Sequence, residues 1–476
     1  MQTTSWLQSM RASQGLRLLM LGFLALVLLI PIGMVRDVIS EREARRNEAA
    51  QNVAASWGGT QRVAGPRLVV PFVVRWRETL DDGKQVERER RDAAVFLPET
   101  LDVSGTLETQ LLRRGIFEVP VYRAKLSLSG GFGAVDFAPL GIVPSEVLWD
   151  RAELVVDLSE VRAIDEIALD WNGAKLAFEP GGGAAMPYAA AVHVPIGTRA
   201  NSPAKFSVTL IARGSESLAI APLGERTTAR LESGWPSPSF TGAWLPAERE
   251  VRADDLGFSA SWQVASIGRG FPQSWLAADE PVRRARDGEG SDDSDYREVS
   301  ELAHQRAFDP TSFGVRLLKP VDAYRMAERS AKYAVLFVAL TFATLWLFEV
   351  LAKAPLHSVQ YLLVGAALCL FFLLELSLAE HLGFGFAYAI ASAGIVGLVG
   401  GYAWAVLRGA GRAGVVAGVV TTLYAYLYVV ITNEDYALLA GAIGLFAALA
   451  AVMWLTRRVD WRDVGAKADE AARAPV

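Results

Sequence analysis

The last third of the chain is a series of long apolar segments separated by short polar connections. Each segment has about 20 residues, the number that an α-helix rising about 1.5 Å per residue needs to cross about 30 Å of hydrocarbon. A buried helix of a soluble protein normally keeps a polar stripe, and the run 361–374 has none. The pattern therefore predicts five membrane spans, approximately at residues 331–352, 359–379, 384–406, 413–432 and 436–456.

A further apolar segment, residues 16–35, lies near the N-terminus and is preceded by Arg11. A charged start followed by an apolar centre is typical of a secretion signal, so a cleaved signal is the alternative interpretation. The apolar run is longer than that of a usual signal, and no small-x-small cleavage site follows it directly. The segment is therefore predicted to be an uncleaved anchor, which brings the number of spans to six.

The charges of the connections predict the orientation of the spans. The connections after the first, third and fifth C-terminal spans contain the basic residues Lys353, Arg408, Arg412, Arg457, Arg458 and Arg462. The other two connections carry Glu380-His381 and Asn433-Glu434-Asp435, without Lys or Arg. Because basic connections lie on the cytoplasmic side, both ends of the chain, residues 1–15 and 457–476, are predicted to be cytoplasmic.

The anchor is predicted to continue out of the membrane as a stalk helix, residues 36–57. This stretch has no Gly or Pro, and Glu41 lies four residues before Arg45, the spacing at which opposite charges meet on a helix surface. Val53 and Trp57 belong to a thin apolar edge with which the stalk is expected to dock on the following domain. The Gly58-Gly59 pair predicts the end of the helix.

Residues 58–329 are predicted to form a large β-rich periplasmic domain. Apolar and polar residues alternate in short runs, and turn signals such as Asp82-Gly83 and Asn172-Gly173 separate the runs. Strands at this spacing favour antiparallel sheets, arranged as a sandwich or as one large curved sheet. The predicted strands are 68–77, 93–97, 101–107, 122–129, 153–157, 167–171, 206–211, 227–231 and 258–264. The domain is predicted to end in an amphipathic helix that leads into the bundle of spans, residues 330–456.

Composition and charge limit the function classes. The chain has 476 residues, 52% of them hydrophobic, and its net charge of −5 argues against nucleic-acid binding. The one cysteine, Cys369, lies in a predicted span, so the exported domain has no internal disulfide. Residues 277–300 have almost no apolar side chains and are predicted to be disordered. The fold class is therefore a membrane protein with six transmembrane helices, one N-terminal and five C-terminal, and the β-rich domain between the first and second.

Common catalytic motifs are absent from the sequence. The sequence has no phosphate-binding loop, no nucleophile elbow, and no His-Glu-x-x-His or Cys-x-x-Cys spacing. The four histidines are widely scattered. We therefore expect a protein that is not an enzyme, with no cofactor, no catalytic residue and no metal-binding residue.

The candidate functional residues are polar groups at membrane depth: Glu375, Glu380 and His381. An ionised carboxylate in hydrocarbon costs about 2.5 kcal/mol or more, so an intramembrane Glu usually faces protein or water and is often functional. Local water or an interfacial Arg is the alternative explanation for a Glu so close to the predicted membrane surface. Tyr424 and Tyr426 in the fifth span favour interfacial anchoring or interhelical hydrogen bonds over a pore lining.

Longer motifs resemble those of the CreD family of bacterial inner-membrane proteins, and the resemblance covers nearly the whole chain. They include Glu-Arg-Glu-Ala-Arg-Arg at 41–46, Ser-Trp-Gly-Gly-Thr-Gln-Arg-Val-Ala-Gly-Pro-Arg-Leu-Val-Val-Pro at 56–71, Trp-Pro-Ser-Pro-Ser-Phe-Thr-Gly at 235–242, Val-Arg-Leu-Leu-Lys-Pro-Val-Asp at 315–322, Leu-Ser-Leu-Ala-Glu-His-Leu-Gly-Phe at 376–384 and Thr-Arg-Arg-Val-Asp-Trp at 456–461.

The resemblance implies a multi-pass inner-membrane protein of cell envelope integrity, linked to envelope stress, the β-lactam response and colicin tolerance. It implies no known reaction and assigns no catalytic residue. Two other classes stay open: a transporter or flippase-like protein that moves an ion, lipid or envelope precursor past Glu375, and an enzyme acting on envelope material. The expected partners are the lipid bilayer and envelope proteins that bind the periplasmic domain, and a homo-oligomer is an open alternative.

Overall fold

A computed structural model describes residues 14–79, 81, 84–183, 190–252, 257–277, 311–318, 323–352, 356–407, 409–433 and 436–457. The chain divides into two compact units, a helical unit formed by Met1–Arg46 and Val321–Val476 and a sheet unit formed by Asn47–Pro320. Most of the segment predicted to be disordered, 277–300, lies outside the described residues, as do the Asp82-Gly83 turn and nearly all of both predicted tails.

The helices follow the predicted apolar segments closely. They are α1 Gln14–Trp57, α2 Ala323–Lys332, α3 Ala334–Ala352, α4 Ser358–Leu382, α5 Phe384–Leu407, α6 Ala410–Thr432 and α7 Ala437–Thr456. Among the described residues, five of them (α1, α4, α5, α6 and α7) are long and apolar enough to cross a membrane. The predicted count of six is reached when α2 and α3, which are bent by 43° at Tyr333, are taken together as one span.

The packing pairs of α1 and α4 give the relative direction of the two helices. Three pairs of contacting residues advance along both helices together: Met20 with Ser358, Leu28 with Cys369, and Arg42 with Glu380. The helices are therefore parallel. This is the arrangement expected of the first and third of six spans that cross in alternating directions.

The sheet unit contains two sheets, of ten and eight strands within the described ranges. Its strands are β1 Gln61–Thr79, β2 Gln85–Phe96, β3 Thr100–Arg114, β4 Phe117–Phe132, β5 Glu146–Val147, β6 Glu153–Leu158, β7 Ile164–Trp171, β8 Ala174–Leu176, β9 Glu179–Pro180, β10 Ala191–Pro195, β11 Ala204–Ser215, β12 Ser217–Ile220, β13 Arg226–Ser233, β14 Pro238–Gly242, β15 Glu248–Val251, β16 Phe258–Ala265, β17 Ser274–Leu276 and β18 Phe313–Leu317. Each of the nine predicted strands falls on an observed strand.

The strand order shows how the sheets are built. The first sheet runs β14-β18-β12-β1-β6-β10-β9, with β2 and β5 paired to β1 and β17 paired to β2. The second sheet runs β15-β16-β13-β3-β4-β11-β7-β8. The pairing is antiparallel, as predicted, except for β1 with β12 and β3 with β13, which are parallel.

The two sheets pack face to face around a common core, which makes the sheet unit a sandwich. Along β13 every second residue is buried, beginning with Thr227, so one face of the strand points into the core. Trp262 of the second sheet stacks on Phe313 of the first, with ring centroids 5.3 Å apart. The predicted turn at Asn172-Gly173 joins β7 to β8, and both residues have the positive φ, 50° and 85°, that a tight hairpin turn requires.

The C-terminal end of α1 docks on the hairpin formed by β3 and β4. Val53 packs against Val119 and Val121, and the indole N–H of Trp57 donates a hydrogen bond to the Tyr122 carbonyl oxygen at 3.3 Å. The helix ends at Trp57, where the sequence predicts its end. At Gly58 φ is 121°, a conformation that side chains of other residues rarely adopt. The apolar edge predicted for the stalk is thus used for packing within the sheet unit.

Candidate functional site

Glu375 is fully buried in the helical unit, on α4. Its Oε2 accepts a hydrogen bond of 2.7 Å from the hydroxyl of Ser330, which is itself fully buried on α2. Its Oε1 has no hydrogen-bond partner within the described part of the chain. The sequence predicts Glu375 as a functional polar group at membrane depth, and in the structure the described partner of its Oε2 is a hydroxyl.

Glu380 lies between α4, α2 and α1. Its Oε1 accepts a hydrogen bond of 2.9 Å from the Tyr324 hydroxyl and lies 3.8 Å from Nε of Arg42, while its side chain is only 10% exposed. The guanidinium group of Arg46 lies over the Tyr324 ring, 5.5 Å from its centroid. Glu380 therefore joins α4 both to the helix that precedes the sheet unit in sequence and to the helix that follows it.

His381 lies on the exposed side of α4, although it directly follows Glu380 in the sequence. Successive residues of an α-helix point about 100° apart, so two neighbours rarely share one contact. The structure brings Glu375 and Glu380 to the same short helix, α2, and leaves His381 outside this contact. A joint function of all three residues stays a prediction.

The partners on α2 were not predicted as site residues. Tyr324, Ala327 and Ser330 follow one another at intervals of three residues and form the buried face of α2. This periodicity is visible in the sequence and was interpreted there only as an amphipathic helix. A Ser and a Tyr on the buried face of a helix need hydrogen-bond partners. Their presence on this face is the sequence signal that points to the carboxylates of α4.

The helical segment is interrupted between α2 and α3, next to the Ser330–Glu375 contact. At Tyr333 the backbone N–H donates to the Ser330 carbonyl oxygen at 3.1 Å, and the Tyr333 carbonyl oxygen accepts from the Leu336 N–H at 3.0 Å. Sharp bends in helices usually occur at Pro or Gly, and neither residue is found in α2 or α3. The break places the C-terminal end of α2 beside the buried carboxylate.

An aromatic group lies one helical turn from Glu375. The rings of Phe371 and Tyr424 have centroids 4.4 Å apart, and the Tyr388 hydroxyl donates a hydrogen bond of 2.7 Å to the Tyr424 carbonyl oxygen. The Tyr424 hydroxyl is buried and has no hydrogen-bond partner among the described residues.

Other polar side chains of the spans join neighbouring helices. The Tyr426 hydroxyl on α6 donates a hydrogen bond to the Ala440 carbonyl oxygen on α7, which confirms the predicted interhelical role for that tyrosine. The Tyr361 hydroxyl on α4 donates to Glu349 on α3 at 3.0 Å. These bonds satisfy polar groups in the bundle and, unlike Glu375, are explained by helix packing alone.

Comparison with known proteins gives a match over nearly the whole chain. The family described as inner membrane protein CreD matches residues 13–462. Inner membrane protein CreD of Escherichia coli (strain K12) is 33% identical to this chain over 441 residues, which cover 92% of this chain and 91% of that protein. The matched region includes the whole sheet unit, most of the helical unit and all of α4.

Proposed function

The chain belongs to the CreD family of inner membrane proteins, and from this premise we propose that it is a non-enzymatic factor of cell envelope integrity. The proposal includes a role in the envelope stress response, in the β-lactam response and in colicin tolerance, as the sequence resemblance implies. The related Escherichia coli protein is named for its place in the inner membrane and not for an enzymatic activity.

The proposed topology has both termini in the cytoplasm and the sheet unit in the periplasm. Two observations support it. The basic connections between the spans are those expected on the cytoplasmic side. In the proposed topology α1 is the first span and α4 is the third. Successive spans cross in opposite directions, so the first and the third run in the same direction, as the parallel packing of α1 and α4 shows for these two helices.

The observation that carries the proposal of a scaffold is that α4 holds the helices at both ends of the sheet unit. Arg42 of α1 and Tyr324 of α2 both contact Glu380, and Ser330 of α2 bonds to Glu375. These contacts form a polar clamp, by which we mean Arg42, Tyr324, Ser330, Glu375 and Glu380. In the proposed function, the clamp keeps both chain connections of the sheet unit fixed to one span.

The proposed partners are the lipid bilayer around the spans and an envelope protein on the sheet unit. We place the protein contact in a shallow polar groove on the second sheet, lined by Asp102, Ser104, Ser129, Thr228 and Arg230 among others. Small hydroxyl side chains leave the groove open, and the side chains of Asp102 and Thr228 are hydrogen-bonded to each other. We propose no nucleic-acid partner.

Transport past Glu375 is the second candidate function. It is favoured by one observation, the buried Glu375 Oε1 without a hydrogen-bond partner among the described residues. Intramembrane carboxylates are common in ion and proton pathways. The two candidate functions differ in what they require of Glu375: the scaffold needs a hydrogen-bond acceptor for Ser330, and the transporter needs a charge.

Complementation of a deletion strain's envelope phenotype separates the two candidates. We expect Glu375→Gln, and Glu380→Gln combined with His381→Asn, to complement like the unchanged protein, because a glutamine side-chain oxygen still accepts the bonds from Ser330 and Tyr324. Ser392→Ala is the matched control, since the hydrogen bonds of the Ser392 hydroxyl within the described residues go to the Tyr388 and Ala389 carbonyl oxygens of its own helix. Membrane levels of all variants are compared by blot.

The same assay tests the groove. Ser104→Arg combined with Ser129→Arg fills the groove with two long charged side chains, and we expect it to abolish complementation at an unchanged membrane level. Failure of Glu375→Gln at a normal membrane level would contradict the scaffold and support transport. Full complementation by the groove variant would remove the proposed partner surface.

A further inference from the structure

The buried carboxylate of Glu375 lacks a positively charged partner among the described residues. Its hydrogen bond to Ser330 involves Oε2 only, and the donor is a neutral hydroxyl. Burying a charged group is very unfavourable unless the charge is paired, hydrogen-bonded or bound to an ion. A single hydrogen bond from the Ser330 hydroxyl does not compensate the charge of a carboxylate that is fully buried.

A proton or a cation on the carboxylate would each remove the buried charge, but they differ in what they require of the surroundings. A protonated Oε1 would carry an O–H group, which needs a hydrogen-bond acceptor of its own in a buried site. A ligand that takes up the lone pairs of Oε1 resolves both the charge and the unmatched oxygen.

The C-terminal end of α2 lies next to the residue that bonds to Glu375. The helix α2 ends at Lys332, two residues after Ser330, and the C-terminal end of a helix carries partial negative charge and unsatisfied carbonyl oxygens. The ends of helices broken within a membrane bind cations in this way. The buried Tyr424 hydroxyl, also without a hydrogen-bond partner among the described residues, belongs to the aromatic group one helical turn from Glu375.

We propose that Glu375, Ser330 and the C-terminal end of α2 form a binding site for a monovalent metal cation, with Na⁺ as the ion to be tested. A single carboxylate supplies one negative charge, which matches one monovalent ion. The described residues contain no group of three or more His, Cys, Asp or Glu that could hold a divalent or transition metal. Carboxylate, hydroxyl and carbonyl oxygens are hard ligands, which suit alkali and alkaline-earth ions.

The site stands apart from the proposed envelope role, since a scaffold can hold a structural ion and a transporter can move one. Its test is therefore a binding measurement on the purified full-length protein in lipid nanodiscs, at constant ionic strength, with choline replacing Na⁺. We expect the thermal unfolding temperature of the helical unit to rise with Na⁺ concentration, because an ion that binds only the folded state stabilises it. Glu375→Gln is expected to abolish this rise.

Two further variants separate binding from folding. Ser330→Ala keeps the carboxylate and removes one oxygen ligand, and we expect it to raise the half-saturating Na⁺ concentration by about tenfold, which corresponds to about 1.4 kcal/mol. Glu349→Gln is the matched control. Glu349 is another carboxylate of the bundle, which accepts a hydrogen bond from Tyr361, and this variant is expected to keep the full Na⁺ response.

Three results would overturn the proposal. The first is an unfolding temperature of the unchanged protein that is the same in Na⁺ and in choline. The second is a Na⁺ response that persists in a folded Glu375→Gln variant, with folding verified by size-exclusion chromatography. The third is stabilisation that follows acidification rather than Na⁺, which would assign the site to a proton. None of these results affects complementation, so failure of the site and failure of the envelope role remain distinguishable.

Discussion

Replacement of Trp262 by alanine is expected to lower the free energy of unfolding of the sheet unit by about 3–5 kcal/mol. Trp262 is 1% exposed and lies between the two sheets. It stacks on Phe313 at 5.3 Å, packs edge to face on Phe240 at 5.9 Å, and donates an indole hydrogen bond to the Trp244 carbonyl oxygen at 3.2 Å. Alanine would leave a cavity where the sheets meet and would remove all three contacts.

The measurement for this variant is urea unfolding of the full-length protein in detergent. The protease resistance of the sheet unit is the signal that monitors unfolding. Trp76→Ala is the matched control, because Trp76 is the same residue type on β1 but is 45% exposed. We expect the control to change the free energy of unfolding by less than about 0.5 kcal/mol. A loss of less than about 1 kcal/mol for Trp262→Ala would contradict the packing of the two sheets on this side chain.

Gly130→Ala is expected to destabilise the sheet unit by about 3 kcal/mol, at the upper end of the range for overpacking. Gly130 lies on β4 opposite Leu101 of β3. A methyl group at this position would overlap the Thr100 carbonyl oxygen and would lie 3.0 Å from the Phe206 ring. Since the Thr100 oxygen belongs to the backbone of the paired strand, no side-chain rotation relieves the overlap.

The next residue provides the control for Gly130. A methyl group on Gly131 would lie 3.7 Å from the Ala204 carbonyl oxygen, an ordinary contact distance. We expect Gly131→Ala to leave stability unchanged or to raise it by up to about 1 kcal/mol, because glycine weakens a strand by its conformational freedom. Both variants are compared in the same urea assay. Equal effects of the two substitutions would contradict the register of β3 and β4.

The elements that the sequence predicts are those defined by local pattern. The apolar segments predict the spans because a helix must reach across the hydrocarbon, and α4 to α7 lie within three residues of the predicted segments. The alternation of apolar and polar residues predicts the strands because one face of each is buried in the sandwich. The break after Trp57 is predicted because Gly58 and Gly59 adopt positive φ at little energetic cost.

The features that the sequence does not predict depend on contacts between distant residues. The parallel pairing of β3 with β13 joins strands more than a hundred residues apart, and no local pattern specifies it. The bend at Tyr333 has no Pro or Gly to mark it. The candidate site also depends on contacts between distant residues. The residue type and depth of Glu375 identify it in the sequence. Its partner Ser330 lies 45 residues away and is defined only by the packing of α2 on α4.

The polar clamp, in which α4 holds the helices at both ends of the sheet unit, is the central element of the proposed function. Exchange of the charges of one pair tests it most directly. Arg42→Glu places two carboxylates together, Glu380→Arg places two guanidinium groups together, and the double variant restores opposite charges across the 3.8 Å contact. The measurement is complementation of the envelope phenotype at matched membrane levels. We predict that each single variant fails and that the double variant restores function. Full complementation by both single variants, or a double variant that is no better than either, would contradict the clamp.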